Sequence, residues 1–138
     1  MKYAIIMLSI IFMTGSGTCL AVDKSMCDPG SEIAYHPNGQ LKSCTLKETF
    51  DINGVNCKQY EAIKLYDSGM LEQCDTNEDV TYGGIPCKQY GQVSFYATGK
   101  LHSCDLSKPL QIDGKTCAQY ESISLFENGK LMSCSMPQ

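Results

Sequence analysis

Between Gln92 and Phe95 the chain alternates, with Val93 and Phe95 apolar and Gln92 and Ser94 polar. A two-residue period over a short stretch is the mark of a half-buried strand. Tyr96 and the turn Ala97-Thr98-Gly99 follow, then Lys100, Leu101 and His102. This predicts a hairpin with a three-residue loop, whose last member adopts the left-handed backbone that glycine takes without steric cost. Gly39, Gly69, Gly99 and Gly129 all hold that place, and Asn38 and Asn128 add their own turn preference just before two of them. Such a turn sets Tyr35 across from Leu41, Leu65 from Leu71, Phe95 from Leu101 and Leu125 from Leu131. These cross-strand pairs are the expected hydrophobic unit of each hairpin.

The hairpin recurs because the sequence does. CDPGSEIAYHPNGQLKSC runs from Cys27 to Cys44, CKQYEAIKLYDSGMLEQC from Cys57 to Cys74, CKQYGQVSFYATGKLHSC from Cys87 to Cys104 and CAQYESISLFENGKLMSC from Cys117 to Cys134. Equivalent residues lie 30 apart, so the chain is a repeat array with copies at residues 27–56, 57–86, 87–116 and 117–138. The segments between hairpins carry a weaker motif, Ile52-Asn53-Gly54, Tyr82-Gly83-Gly84 and Ile112-Asp113-Gly114, which predicts another short strand ending in a bend. The expected fold is all-β: an elongated single domain of four hairpin repeats, three short strands each, stapled by disulfides.

A single copy has too small a core to fold alone. Its apolar positions, such as Ile63, Leu65, Tyr66, Leu71 and Tyr82 in the second copy, stabilise by roughly 1.5–3 kcal/mol each when fully buried, while ordering costs about 1.5 kcal/mol per residue. Stacking and crosslinks must offset the difference. The cysteines are separated alternately by 17 and 13 positions. Pairing across 17 joins Cys27 to Cys44, Cys57 to Cys74, Cys87 to Cys104 and Cys117 to Cys134 with none left over; pairing across 13 would strand Cys27 and Cys134 at opposite ends. The first scheme is the expectation, and a disulfide closing such a loop contributes on the order of 3 kcal/mol.

The N-terminus reads as an export signal over residues 1–21, with a short lead-in at 22–26. Lys2 precedes an apolar run from Tyr3 to Met13, then small residues, with Cys19 and Ala21 at the places a signal peptidase reads. The run is near half the roughly 20 residues of a membrane span. Lipidation at Cys19 is not expected, because Ser16, Gly17 and Thr18 lack the aliphatic residue and the small residue usual before a lipidated cysteine. Membrane contact is therefore expected through the signal alone. Losing Cys19 leaves eight of nine cysteines, an even set that reads as a disulfide framework in a secreted or periplasmic chain. Losing Lys2 takes the formal charge from −4 to −5. With no arginine and a net negative charge, the chain is a poor partner for nucleic acid.

The candidate chemistry is sparse. Zinc and thiol-redox sites favour close pairs such as CxxC, and here no two cysteines of the repeat array are nearer than 13 positions; no metal and no cofactor are expected. His36 takes the aromatic place held by Tyr66, Tyr96 and Phe126, and His102 the place of Lys42, Glu72 and Met132. Both read as surface variants of repeat positions rather than catalysts. Asp67, Glu72, Asp75, Glu78 and Asp79 gather in the second copy without calcium-loop spacing, which reads as a solvated acidic face. Tyr60, Tyr90 and Tyr120 recur in KQY, KQY and AQY. Stacked copies would line them up, buried as inter-repeat core, the favoured reading, or exposed as a row for glycan or protein. The hairpin tips, including His36-Pro37, Asp67-Ser68 and Ala97-Thr98, vary most and are the other candidate binding positions.

The phrases LFENGKLMSC, FYATGKLHSC and LYDSGMLEQC resemble the aromatic-x-x-Gly-Lys-Leu repeat of bacterial MORN-variant proteins, among them the YwqK-family antitoxins. The resemblance implies an elongated all-β array of hairpins and brings no catalytic residues. The functional expectation is a non-enzymatic exported scaffold or binding module for an envelope protein or glycan. The alternative is an extracytoplasmic inhibitor or immunity protein, antitoxin-like, that neutralises a toxin or hydrolase.

Overall fold

The computed structural model describes residues 22–138; the expected export signal and Cys19 lie outside the described residues. Among the described residues a single 3-10 turn, Lys24–Met26, capped by the Asp23 side chain on the Ser25 amide, comes first and buries Met26. Fourteen strands follow: β1 (Ala34–Tyr35), β2 (Leu41–Thr45), β3 (Phe50–Ile52), β4 (Val55–Cys57), β5 (Ala62–Leu65), β6 (Leu71–Asp75), β7 (Val80–Tyr82), β8 (Ile85–Cys87), β9 (Gln92–Phe95), β10 (Leu101–Asp105), β11 (Leu110–Ile112), β12 (Lys115–Cys117), β13 (Ser122–Leu125) and β14 (Leu131–Cys134).

The repeated hairpins join edge to edge into one elongated antiparallel sheet, ordered β1-β2-β5-β6-β9-β10-β13-β14. Each of its turns closes as the spacing predicts: in the third copy the Gly99 amide donates to the Tyr96 carbonyl and the Tyr96 amide to the Lys100 carbonyl, with Gly99 at φ +87°. The expected pairs form, Tyr35 with Leu41, Leu65 with Leu71, Phe95 with Leu101 and Leu125 with Leu131.

Two features depart from simple alternation. Directly after each of these leucines the register slips, so that Leu65 faces Leu71 but Lys64 faces Gln73. The extra residue, Lys42, Glu72, His102 or Met132, is a β-bulge. It lets two residues three apart, Leu71 and Cys74, both turn inward, where strict alternation would have exposed one of them.

The second departure corrects the strand count. Each linking segment is a complete hairpin rather than one strand and a bend: β3 pairs with β4, β7 with β8 and β11 with β12. Asn53 and Gly54 connect the first of these, with φ +53° and +82°. Two successive positive values are the requirement of the tight hairpin turn that matches strand twist. The small hairpins lie against the sheet, and Ile52, Val55 and Ile85 from them join Ile63, Leu65, Leu71, Val93, Phe95 and Leu101 in one core.

All four disulfides take the 17-residue pairing, Cys27–Cys44, Cys57–Cys74, Cys87–Cys104 and Cys117–Cys134. In the last three, each bond ties the end of a small hairpin to a sheet strand, joining the two layers.

Candidate functional site

Each small hairpin ends in a tight turn, and at the corner of each turn stands a tyrosine. The Tyr60 amide donates to the Leu46 carbonyl, Tyr90 to Thr76 and Tyr120 to Leu106, each at 2.8 Å. These bonds hold the three residues at φ +63°, +60° and +66°. An aromatic side chain is an expensive occupant of that region, on the order of 1 kcal/mol or more. Their rings are 66%, 57% and 63% exposed. The expectation that they form inter-repeat core is therefore corrected: the left-handed corner turns them away from the sheet into solvent. The equivalent residue of the first copy, Gly30, is not in the left-handed region.

Lysines lie between the rings. Lys58 Nζ is 5.0 Å from the centre of the Tyr90 ring and Lys88 Nζ 5.8 Å from that of Tyr120, within reach of cation–π attraction. Lys58 also pairs with Glu61 at 3.2 Å. Each copy adds two strands to the sheet, so successive tyrosines are spaced by about 10 Å, twice the separation of neighbouring strands.

A second aromatic row runs along the opposite ends of the strands and behaves differently. His36 Nε2 donates to the Leu65 carbonyl at 2.7 Å, and the Tyr66 and Tyr96 hydroxyls donate to the Phe95 and Leu125 carbonyls at 2.8 Å. A carbonyl can only accept, so Nε2 carries the proton. Each of these side chains reaches one copy forward. Phe126, in the fourth copy and without a hydroxyl, is 49% exposed. Burial pushes the Tyr66 hydroxyl up from its ordinary pKa, with the nearby Glu72 and Glu127 adding to the shift.

The variable tips are tied in the same direction: Asn38 donates to the Asp67 carbonyl and Thr98 Oγ1 to Glu127 Oε1, both at 2.9 Å. His36, Asp67 and Thr98 thus sit at junctions between copies, with Asp67 contributing only its backbone. His102, on its bulge, contacts Ser94 Oγ through Nδ1 at 3.2 Å and packs on the Tyr96 ring at 4.7 Å. Among the described residues no carboxylate hydrogen-bonds either histidine.

The acidic residues of the second copy do not converge. Asp79 accepts from the Gln89 amide, while burial, with help from Glu61, raises the Asp75 carboxyl above its ordinary pKa. Among the described residues no three His, Cys, Asp or Glu side chains come together as a metal site.

A feature that sequence reasoning missed lies where the small hairpins meet the sheet. Asn53 Oδ1 accepts from the Leu71 amide at 2.8 Å, and Asp113 Oδ2 from the Leu131 amide at 2.7 Å. The equivalent residue between them is Gly83, which has no side chain to offer. A groove of about 520 Å³ opens there. The available signal was the break in an otherwise repeated Asn/Asp-Gly pair.

These observations define a class: an all-β, disulfide-stapled hairpin-repeat protein. Its four disulfides belong to an oxidising compartment outside the cytoplasm. No family model, no curated protein and no solved structure matches the chain.

Proposed function

We propose that the protein is an exported, non-enzymatic binding module whose Tyr60–Tyr90–Tyr120 row stacks on an extended polysaccharide of the cell envelope. The observation that supports this is the combination of exposure and strain at those three residues. A left-handed corner is the place glycine occupies without steric cost, and strained, exposed aromatic residues are a reason to look for function. A flat ring with an apolar face suits the face of a pyranose, and a row of about 10 Å period is close to the length of one disaccharide of an extended β-linked glycan. Lys58 and Lys88 lie over one face of the Tyr90 and Tyr120 rings, which leaves the other face for the sugar.

The test replaces all three tyrosines by glycine, which relieves the backbone strain and keeps the protein folded. Co-sedimentation with insoluble peptidoglycan, chitin and cellulose is expected to show binding by the native chain to at least one of them. The triple variant is expected to lose roughly two- to tenfold per ring, at about 0.5–1.5 kcal/mol for each aromatic contact. Equal binding by both proteins, or no binding by the native chain to any of the three, overturns the reading.

A further inference from the structure

The groove at Gly83 lies at the opposite end of the strands from the tyrosine row, next to the hairpin tips. It repeats a site found one copy earlier. There Asn53, Val55, Met70, Leu71, Phe95 and Gly99 enclose only about 70 Å³. The same positions 30 residues on are Gly83, Ile85, Lys100, Leu101, Leu125 and Gly129, and all six line the larger groove. Two replacements account for the opening. Met70 fills the earlier site so closely that its Cε lies 3.3 Å from where a Cβ on Gly99 would stand, while Lys100 is exposed and carries its charge to solvent. Asn53 also ties its hairpin to the Leu71 amide, a bond that Gly83 cannot make to the equivalent Leu101 amide.

A third replacement is confined to this copy. Tyr82 stands where Ile52 and Ile112 stand elsewhere. Its ring forms the groove wall and meets Phe95 edge-on at 5.3 Å, and its hydroxyl is buried without a hydrogen-bond partner. Three departures from the repeat therefore coincide at one place, and together they exchange a filled, tied contact for a cavity of ligand size.

The neighbouring copies show what chemistry the cavity lacks. At Leu71 the amide is met by an amide oxygen, and at Leu131 by the carboxylate of Asp113. At Leu101 the matching oxygen is missing from the chain. We propose that the groove binds a small amphipathic carboxylate, whose oxygen accepts from the Leu101 amide and whose apolar body lies on Tyr82, Phe95 and Leu125. Lys100 supplies the complementary charge at the rim. Glu127 also borders the groove, with its Oε1 held by the Thr98 hydroxyl. The ligand stands in for the side-chain oxygen that the other two copies provide for themselves.

The full-length protein is titrated with decanoate and with 4-phenylbutyrate by calorimetry, with decanol as the uncharged control. Amide resonances are followed in parallel. One of the two acids is expected to bind at least tenfold more tightly than decanol, and the Leu101 amide to show one of the largest shifts. Gly83→Asn supplies the missing oxygen at a position whose φ of +56° asparagine tolerates and where a Cβ meets no atom within 4 Å. It is expected to weaken acid binding at least tenfold while leaving thermal stability equal or higher. Lys100→Met, copying the filled site, is expected to weaken it similarly. Failure of both acids to bind at millimolar concentration, equal binding of decanol, or undiminished binding to Gly83→Asn each overturns the proposal.

Discussion

Two rows of aromatic side chains repeat with the same 30-residue period, at opposite ends of the same strands, and they do opposite things. His36, Tyr66 and Tyr96 are half-buried, and each places a polar tip on a carbonyl of the next copy. Tyr60, Tyr90 and Tyr120 stand exposed on left-handed corners, and no hydrogen bond from their hydroxyls is found among the described residues. The first row holds the array together; the second is carried at a conformational cost. Periodicity therefore marks equivalent positions without saying whether the period serves folding or recognition. What distinguishes the rows is the presence of an acceptor one copy ahead.

The sharpest way to break this comparison is truncation. Tyr96→Ala removes a half-buried ring and a bond to the Leu125 carbonyl, and is expected to cost roughly 2 kcal/mol in urea unfolding. Tyr90→Ala is expected to stay within about 0.5 kcal/mol of the native chain. Equal losses at the two positions would remove the distinction.

A pH series probes the third kind of aromatic, which belongs to neither row. Burial, with the negative Glu78 and Asp51 nearby, pushes the Tyr82 hydroxyl up to about 12 from its ordinary 10. The folded state thus holds a proton that the unfolded state releases more readily. This contribution to stability is fully present below pH 10 and is lost as the pH rises toward 12. Thermal melts of Tyr82→Phe across that window are expected to fall less steeply than those of the native chain; parallel curves would contradict the assignment.

The smallest expected effect is the most discriminating. Phe126→Tyr extends the bonded row into the fourth copy, where among the described residues no following strand provides a carbonyl. Its stability is expected to match the native value within about 0.5 kcal/mol. A clear gain would mean that the new hydroxyl finds an acceptor at the end of the array.

Much of the scaffold was legible because it is local. Alternation at Val93 and Phe95 and glycine at the end of each main turn constrain neighbours within one hairpin, cysteines 17 apart link the two layers within one copy, and the structure contains all three. The second hairpin was legible in principle, since Asn53-Gly54, Gly83-Gly84 and Asp113-Gly114 are turn dipeptides; the short strands beside them hid it. The bulge after Leu71 carries no composition of its own, because Lys42, Glu72, His102 and Met132 share no chemistry.

Taken alone, the sequence determines the repeat, its strands and turns, and a cysteine spacing that favours the disulfides seen here, because all of these can be read within one copy or by aligning copies. The tertiary structure alone decides which tyrosines face solvent and where the groove opens. The Tyr60 corner depends on a carbonyl at Leu46, the Tyr66 bond on one at Phe95, and the closed site before the groove on an Asn53 bond to the Leu71 amide. Each of those partners belongs to another strand or another copy, and only packing brings it within hydrogen-bond reach.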